Sequence, residues 1–133
     1  FVSEQELNAI LDQTARPVIR ALKRQGTPYQ GLLYVGLMMT ESGPRVLEYN
    51  ARFGDPEAQA ILPRLKTDIV PIMLEVANGR LKTSSLEWDP RPCLSVVIAS
   101  GGYPGTYQSG FEIKGLDRIR SADVVVFHAG TNR

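Results

Sequence analysis

Two apolar segments separated by a tight turn limit how this chain can fold. Leu32 to Met39 is an almost unbroken apolar run, and Arg45 to Tyr49 returns after Glu41-Ser42-Gly43-Pro44. The run reads as a strand buried on both faces, and the four turn-forming residues make the pair a hairpin. The hairpin carries Glu48-Tyr49-Asn50-Ala51-Arg52-Phe53-Gly54-Asp55-Pro56-Glu57 at its far end. Side chains alternate along a strand, so Glu48 and Asn50 project from one face. Both offer hard oxygen donors, which Mg²⁺ prefers when it is shared with phosphates. Metal, positive charge and backbone donors gathered at a strand end are what phosphoryl chemistry uses.

Each of these residues also has a plain structural reading. Glu48 and Asn50 could be two polar residues on an exposed sheet face. Arg52 could be a solvated charge, although its planar fork suits phosphate or carboxylate better than a lysine would. Gly54 fits a positive φ or a close backbone approach to a ligand. Asp55 suits a helix cap, with Pro56 at the first helical position, and is equally placed to contact an amine substrate. Glu57 falls in the first helical turn, where the helix dipole favours an acid.

The rest of the chain supplies helices first and strands later. Ser3 and Glu6 form a capping-box pattern, which predicts a helix from about Glu4. Leu7, Ile10, Leu11, Val18, Ala21 and Leu22 recur at helical spacing, Pro17 kinks or divides the element, and Gly26 with Pro28 closes it. Arg20, Lys23 and Arg24 suit its C-terminus. Ala58 to Leu65 continues the helix begun at Asp55-Pro56, shortened by Pro63. Thr67 or Asp68 caps a further helix through Val76, ended by Asn78-Gly79. Composition shifts after Gly79, and 83–92 reads as the connection to a second unit. There Leu94 to Ala99, Phe111 to Ile113 and Val124 to Phe127 read as strands, with Ser100 to Gly105 as a turn. The class is α+β, divided into 1–82 and 83–133, and the second unit stops soon after a strand as if incomplete.

Composition excludes several classes. The net charge is +1 with 15 basic residues spread without a cluster, so no global field argues for nucleic acid or an anionic membrane. No apolar stretch approaches the ~18 residues of a membrane span. The start, Phe1-Val2-Ser3-Glu4, is acidic and polar rather than a signal peptide, and its lack of an initiator methionine agrees with a fragment or a processed product. The lone Cys93 fits a reducing compartment and, at the start of an apolar run, is expected to be packed. One cysteine and one histidine argue against zinc, and His128 reads as a packed or surface residue. Gly101-Gly102-Tyr103-Pro104-Gly105 lacks the lysine and hydroxyl ending of a phosphate loop. No nucleophile-elbow motif is present.

Tyr34 to Met39, Gly43 to Leu47 and above all the ordered run Asn50 to Glu57 resemble the phosphoribosylamine–glycine ligase family of ATP-grasp enzymes, which act in purine synthesis. The resemblance covers nearly all of the chain, while the chain covers only the C-terminal part of such an enzyme. It implies an α+β fold: part of an ATP-grasp domain (a β-hairpin plus helices, 1–82) and the start of a small, mostly-β C-terminal domain (83–133). It implies that Glu48 and Asn50 bind Mg²⁺ or Mn²⁺ bridging the phosphates of ATP. Arg52 is then the catalytic charge-stabilising group, and Arg52, Gly54 and Asp55 contact substrate. One departure stands out: many ATP-grasp members place a further acid where this chain has Gly36.

The implied substrates are ATP, glycine and 5-phosphoribosylamine, joined through glycyl phosphate in the cytoplasm. The implied partner is the remainder of the full-length enzyme, because the adenine pocket and most of the N-terminal domain have no counterpart here. The segment alone is therefore expected to be inactive. Two rivals are another ATP-grasp carboxylate–amine ligase and a non-catalytic interaction or oligomerisation segment.

Overall fold

The computed structural model describes residues 2–83 and 85–132. The chain divides into two compact units, Phe1–Cys93 and Leu94–Arg133. The first contains α1 (Glu4–Gln13), α2 (Ala15–Arg24), β1 (Tyr34–Thr40), β2 (Gly43–Asn50), α3 (Ala58–Ile61) and α4 (Ile69–Ala77). Helices beside a hairpin make it α+β, as the sequence predicts.

Local signals account for the helices. The Ser3 side chain accepts from the Glu6 backbone, while the Glu6 carboxylate accepts from the Ser3 N–H at 2.8 Å, closing the capping box. The break between α1 and α2 falls at Thr14, three residues before Pro17. Pro17 then sits in the first turn of α2, where its missing N–H leaves no bond unmade. Asp68 caps α4 by accepting from the Val70 N–H at 2.9 Å, and Gly79 follows the C-cap Asn78 at φ 64°.

The start of α3 departs from expectation. The Asp55–Pro56 peptide is cis, the helix begins only at Ala58, and no side chain caps it. Asp55 instead accepts from the Gln59 carboxamide at 2.6 Å, so the expected cap at Asp55 with Pro56 as first helical residue is not formed. Pro63 converts the following turn to 3₁₀ geometry over Leu62–Arg64, which shortens the helix as expected.

β1 and β2 pair antiparallel from Thr40↔Gly43 to Tyr34↔Asn50. A bulge lies between Gly36 and Leu37: Gly36 pairs with Glu48 and Leu37 with Val46, which leaves Leu47 as the extra residue. The expectation that β1 is buried on both faces is not met, since Met38 is 53% exposed and Met39 57%. Burying both faces takes a layer on each side, and a two-stranded sheet has none to spare. The buried residues among those described are Thr14, Gly36 and Gly54, and none is a large hydrophobe.

Segment 85–92 belongs to the first unit. Leu65 and Trp88 form an isolated bridge, the Lys66 N–H donates to Glu87 O at 2.9 Å, and Arg64 donates to Asp89 O. Beyond it, the predicted strands at Leu94 to Ala99, Phe111 to Ile113 and Val124 to Phe127 do not pair. Among the described residues of the second unit the regular elements are turns and a 3₁₀ helix, Leu116–Arg118. Its mostly-β character is thus not realised: Leu94 is 84% exposed and Ile98 93%. An apolar pattern specifies a willing strand, but the ladder needs a partner strand. Cys93 is exposed rather than packed. Gly101 to Gly105 is a turn, held by Tyr103 N–H to Ser100 O at 3.1 Å and Gly105 N–H to Gly102 O at 2.8 Å.

Candidate metal and phosphate site

The end of β2 is tied to the helices through Tyr49. Tyr49 points away from the face that carries Glu48 and Asn50, and its hydroxyl donates to Thr14 O at 3.1 Å. Thr14, 4% exposed, also donates from its own hydroxyl to Ile10 O at 2.7 Å. The helix break is therefore tied to the strand between the two candidate ligands.

On the opposite face the register brings Tyr34 beside Asn50 and Gly36 beside Glu48. Gly36 is buried there, and a Cβ at that position would lie 3.0 Å from Glu48 Cγ. A larger residue at 36 would displace the Glu48 side chain. Gly36 thus gives Glu48 its room, in the place where a further acid was noted as missing.

Glu48 is exposed, Asn50 half-buried and Arg52 exposed. Among the described residues the Glu48 carboxylate and the Asn50 carboxamide make no hydrogen bond or ion pair, and Asn50 Nδ2 is buried without a partner. Among the described residues Arg52 donates to the adjacent Phe53 O, at 3.1 Å, and to no other acceptor. Charged and amide groups left uncommitted beside a turn are available to a ligand.

Gly54 is buried, and its φ is not positive. The reason for a glycine is close approach: a Cβ would collide with the Glu57 carboxylate folded over it. Glu57 accepts from the Tyr34 hydroxyl at 3.1 Å. That bond raises the Tyr34 pKa above the usual phenol value, burial and the charges of Glu57 and Glu48 add to it, and Arg52 opposes it. Tyr34 is the site residue that sequence reasoning missed. Asp55 is exposed, with one oxygen engaged by Gln59.

Glu48, Asn50, Arg52, Gly54 and Asp55 therefore lie along one strand end and its turn. His128 lies in the second unit, exposed, with Thr131 Oγ1 3.3 Å from its Nδ1. Among the described residues no cluster of three or more His, Cys, Asp or Glu is gathered. One carboxylate and one amide oxygen fit a cation that takes its remaining ligands from phosphate and water, the habit of Mg²⁺. A closed protein cage is a different arrangement.

The family profile described as phosphoribosylglycinamide synthetase, ATP-grasp (A) domain, matches residues 1–58, and the profile of the C domain of the same synthetase matches 93–133. A phosphoribosylamine–glycine ligase of Caldanaerobacter subterraneus is 50% identical over 131 residues, which is 98% of this chain and 31% of the relative. The enzyme of that name from Rhodopirellula baltica is 48% identical over 134 residues, 99% of this chain and 31% of the relative. The trifunctional purine biosynthetic protein adenosine-3 of Gallus gallus is 45% identical over 98% of this chain and 13% of its own length. The chain thus spans under a third of the length of the curated relatives it matches.

Proposed function

The chain belongs to the phosphoribosylglycinamide synthetase family, and from that premise we propose that the polypeptide containing it joins glycine to 5-phosphoribosylamine with cleavage of ATP. The observation that carries this reading is the uncommitted Glu48–Asn50 oxygen pair, set on one face of a strand end and followed by Arg52. Residues 1–82 are assigned to the ATP-grasp part and 83–133 to the C-terminal part, with 85–92 in the first compact unit.

The proposed reaction has two displacements. The glycine carboxylate attacks the γ-phosphorus of ATP and ADP leaves, giving glycyl phosphate. The amine of 5-phosphoribosylamine then attacks the acyl carbon and phosphate leaves, giving glycinamide ribonucleotide. Glu48 and Asn50 would hold Mg²⁺, or Mn²⁺ in its place. Bound there, the cation neutralises phosphate charge and acts as a Lewis acid. The guanidinium of Arg52 stabilises negative charge on the transferred phosphoryl or acyl-phosphate group. The turn at Gly54 brings backbone close to substrate, and the free oxygen of Asp55 is offered to the amine. Most of the work is positioning and charge neutralisation, the large terms in phosphoryl transfer.

The partners are the three small substrates and the remainder of the longer polypeptide, and the compartment proposed is the cytoplasm. Among the described residues no helix is long and apolar enough to cross a membrane. The test is ADP release by the full-length polypeptide given ATP, Mg²⁺ and 5-phosphoribosylamine, with and without glycine. Glycine-dependent release is expected. Release indifferent to glycine points to another ATP-grasp ligase, and no release to a non-catalytic segment.

A further inference from the structure

We propose that Tyr34 is a positioning residue for the Glu48–Asn50–Arg52 site, acting through Glu57 to hold the 51–57 turn against the strand that carries the ligands. The ligand and the positioning role in this inference rest on the function proposed above, whereas the Tyr34–Glu57–Gly54 contacts rest on geometry. Tyr34 is paired directly with Asn50 across the hairpin, so its ring stands beside that carboxamide. Its hydroxyl reaches beyond Asn50 to donate to Glu57 Oε1 at 3.1 Å. Among the described residues this is the only hydrogen bond joining the 51–57 turn to the hairpin by a side chain.

Gly54 completes the clamp. It is buried beneath the Glu57 carboxylate, in space that a Cβ would take. Tyr34, Glu57 and Gly54 thus pack together within the turn that carries the exposed Arg52. Among the described residues the guanidinium of Arg52 makes one hydrogen bond, to the neighbouring Phe53 carbonyl, so its direction follows the placement of the turn. Releasing the Tyr34–Glu57 bond frees the turn and with it the approach of Arg52 to phosphate.

The test uses the full-length polypeptide with Mn²⁺ as the probe. Mn²⁺ binding in the presence of ATP is followed by electron paramagnetic resonance, beside the melting temperature and glycine-dependent ADP release. Tyr34→Phe keeps the ring and removes the donor, and it is expected to weaken Mn²⁺·ATP binding roughly three- to tenfold. The double variant with Glu57→Gln is expected to be no worse than the more affected single variant, since both act through one bond.

Ser3→Ala, which loosens a distant helix cap, serves as the control for mere loss of stability and is expected to leave Mn²⁺·ATP binding unchanged. Unchanged binding in Tyr34→Phe overturns the proposal, as does an equal loss in Ser3→Ala. If the wild-type protein binds Mn²⁺·ATP but releases no ADP with glycine, the functional reading fails and the variant comparison still decides the clamp. If it binds no Mn²⁺·ATP at all, both fail.

Discussion

Gly36 shows how much of a site can depend on an absent side chain. The Glu48 Cγ would lie 3.0 Å from a Cβ added at position 36, closer than such contacts normally come. Gly36→Ala must therefore shift the Glu48 carboxylate by a few tenths of an ångström or turn it to another rotamer. Placement errors of that order are costly where reacting groups are held in line. On the proposed function, the full-length polypeptide should need on the order of tenfold more Mg²⁺ for half-maximal rate. Its melting temperature should stay near wild type, because no packing is lost. Glu48→Gln removes the anionic ligand itself, and glycine-dependent ADP release should fall on the order of 100-fold or more. Titrating Mg²⁺ against ADP release in the two variants separates misplacement from removal: excess metal should rescue Gly36→Ala and not Glu48→Gln.

Elements were legible in the sequence where their causes are local. The capping box of Ser3 and Glu6, the Asp68 cap and the Asn78-Gly79 stop are short-range features, and each appears in the structure as read. In the full-length polypeptide Ser3→Ala should lower stability by about 1 kcal/mol, visible in a urea titration as an earlier midpoint with an unchanged slope.

The hairpin was legible, but its register at the site was not. Continuing the pairing from Thr40↔Gly43 without interruption would set Glu48 opposite Val35. The bulge at Leu47 moves it opposite Gly36 and Asn50 opposite Tyr34. The isolated Gly36 beside the bulge is its only mark in the sequence, and a lone glycine does not fix the register, so the role of Tyr34 stayed hidden.

Acid should act on the element joined by the Leu65–Trp88 bridge. Bonds from the Arg91 side chain, then its backbone N–H, hold Asp89 down to about 2 from 3.8. A depressed carboxyl pKa contributes stability that is present above the unfolded value and lost as pH falls through the folded one. Trp88 fluorescence should therefore report loosening as pH drops from about 4 to about 2. Asp89→Asn should remove that component.

Among the described residues the apolar side chains are not gathered into a core. Hydrophobic residues make up 43% of the sequence, enough for a core, yet no large hydrophobe among the described residues is buried. Composition could show that the material for a core exists. It could not show where the matching faces lie: β1, α4 and the apolar segments of the second unit keep large hydrophobes such as Met39, Met73 and Ile98 exposed. Burial of apolar area is the main term that offsets the conformational entropy of folding, and here that term is small. The isolated 133-residue polypeptide should therefore lack a cooperative unfolding transition, with a broad calorimetric trace and strong binding of a hydrophobic dye. It should also release no ADP with glycine, since a site on an unsupported strand end is not held in geometry. A sharp calorimetric peak at a concentration-independent temperature would show that the chain folds alone. A sharp peak that rises with protein concentration would mean that copies of the chain cover one another.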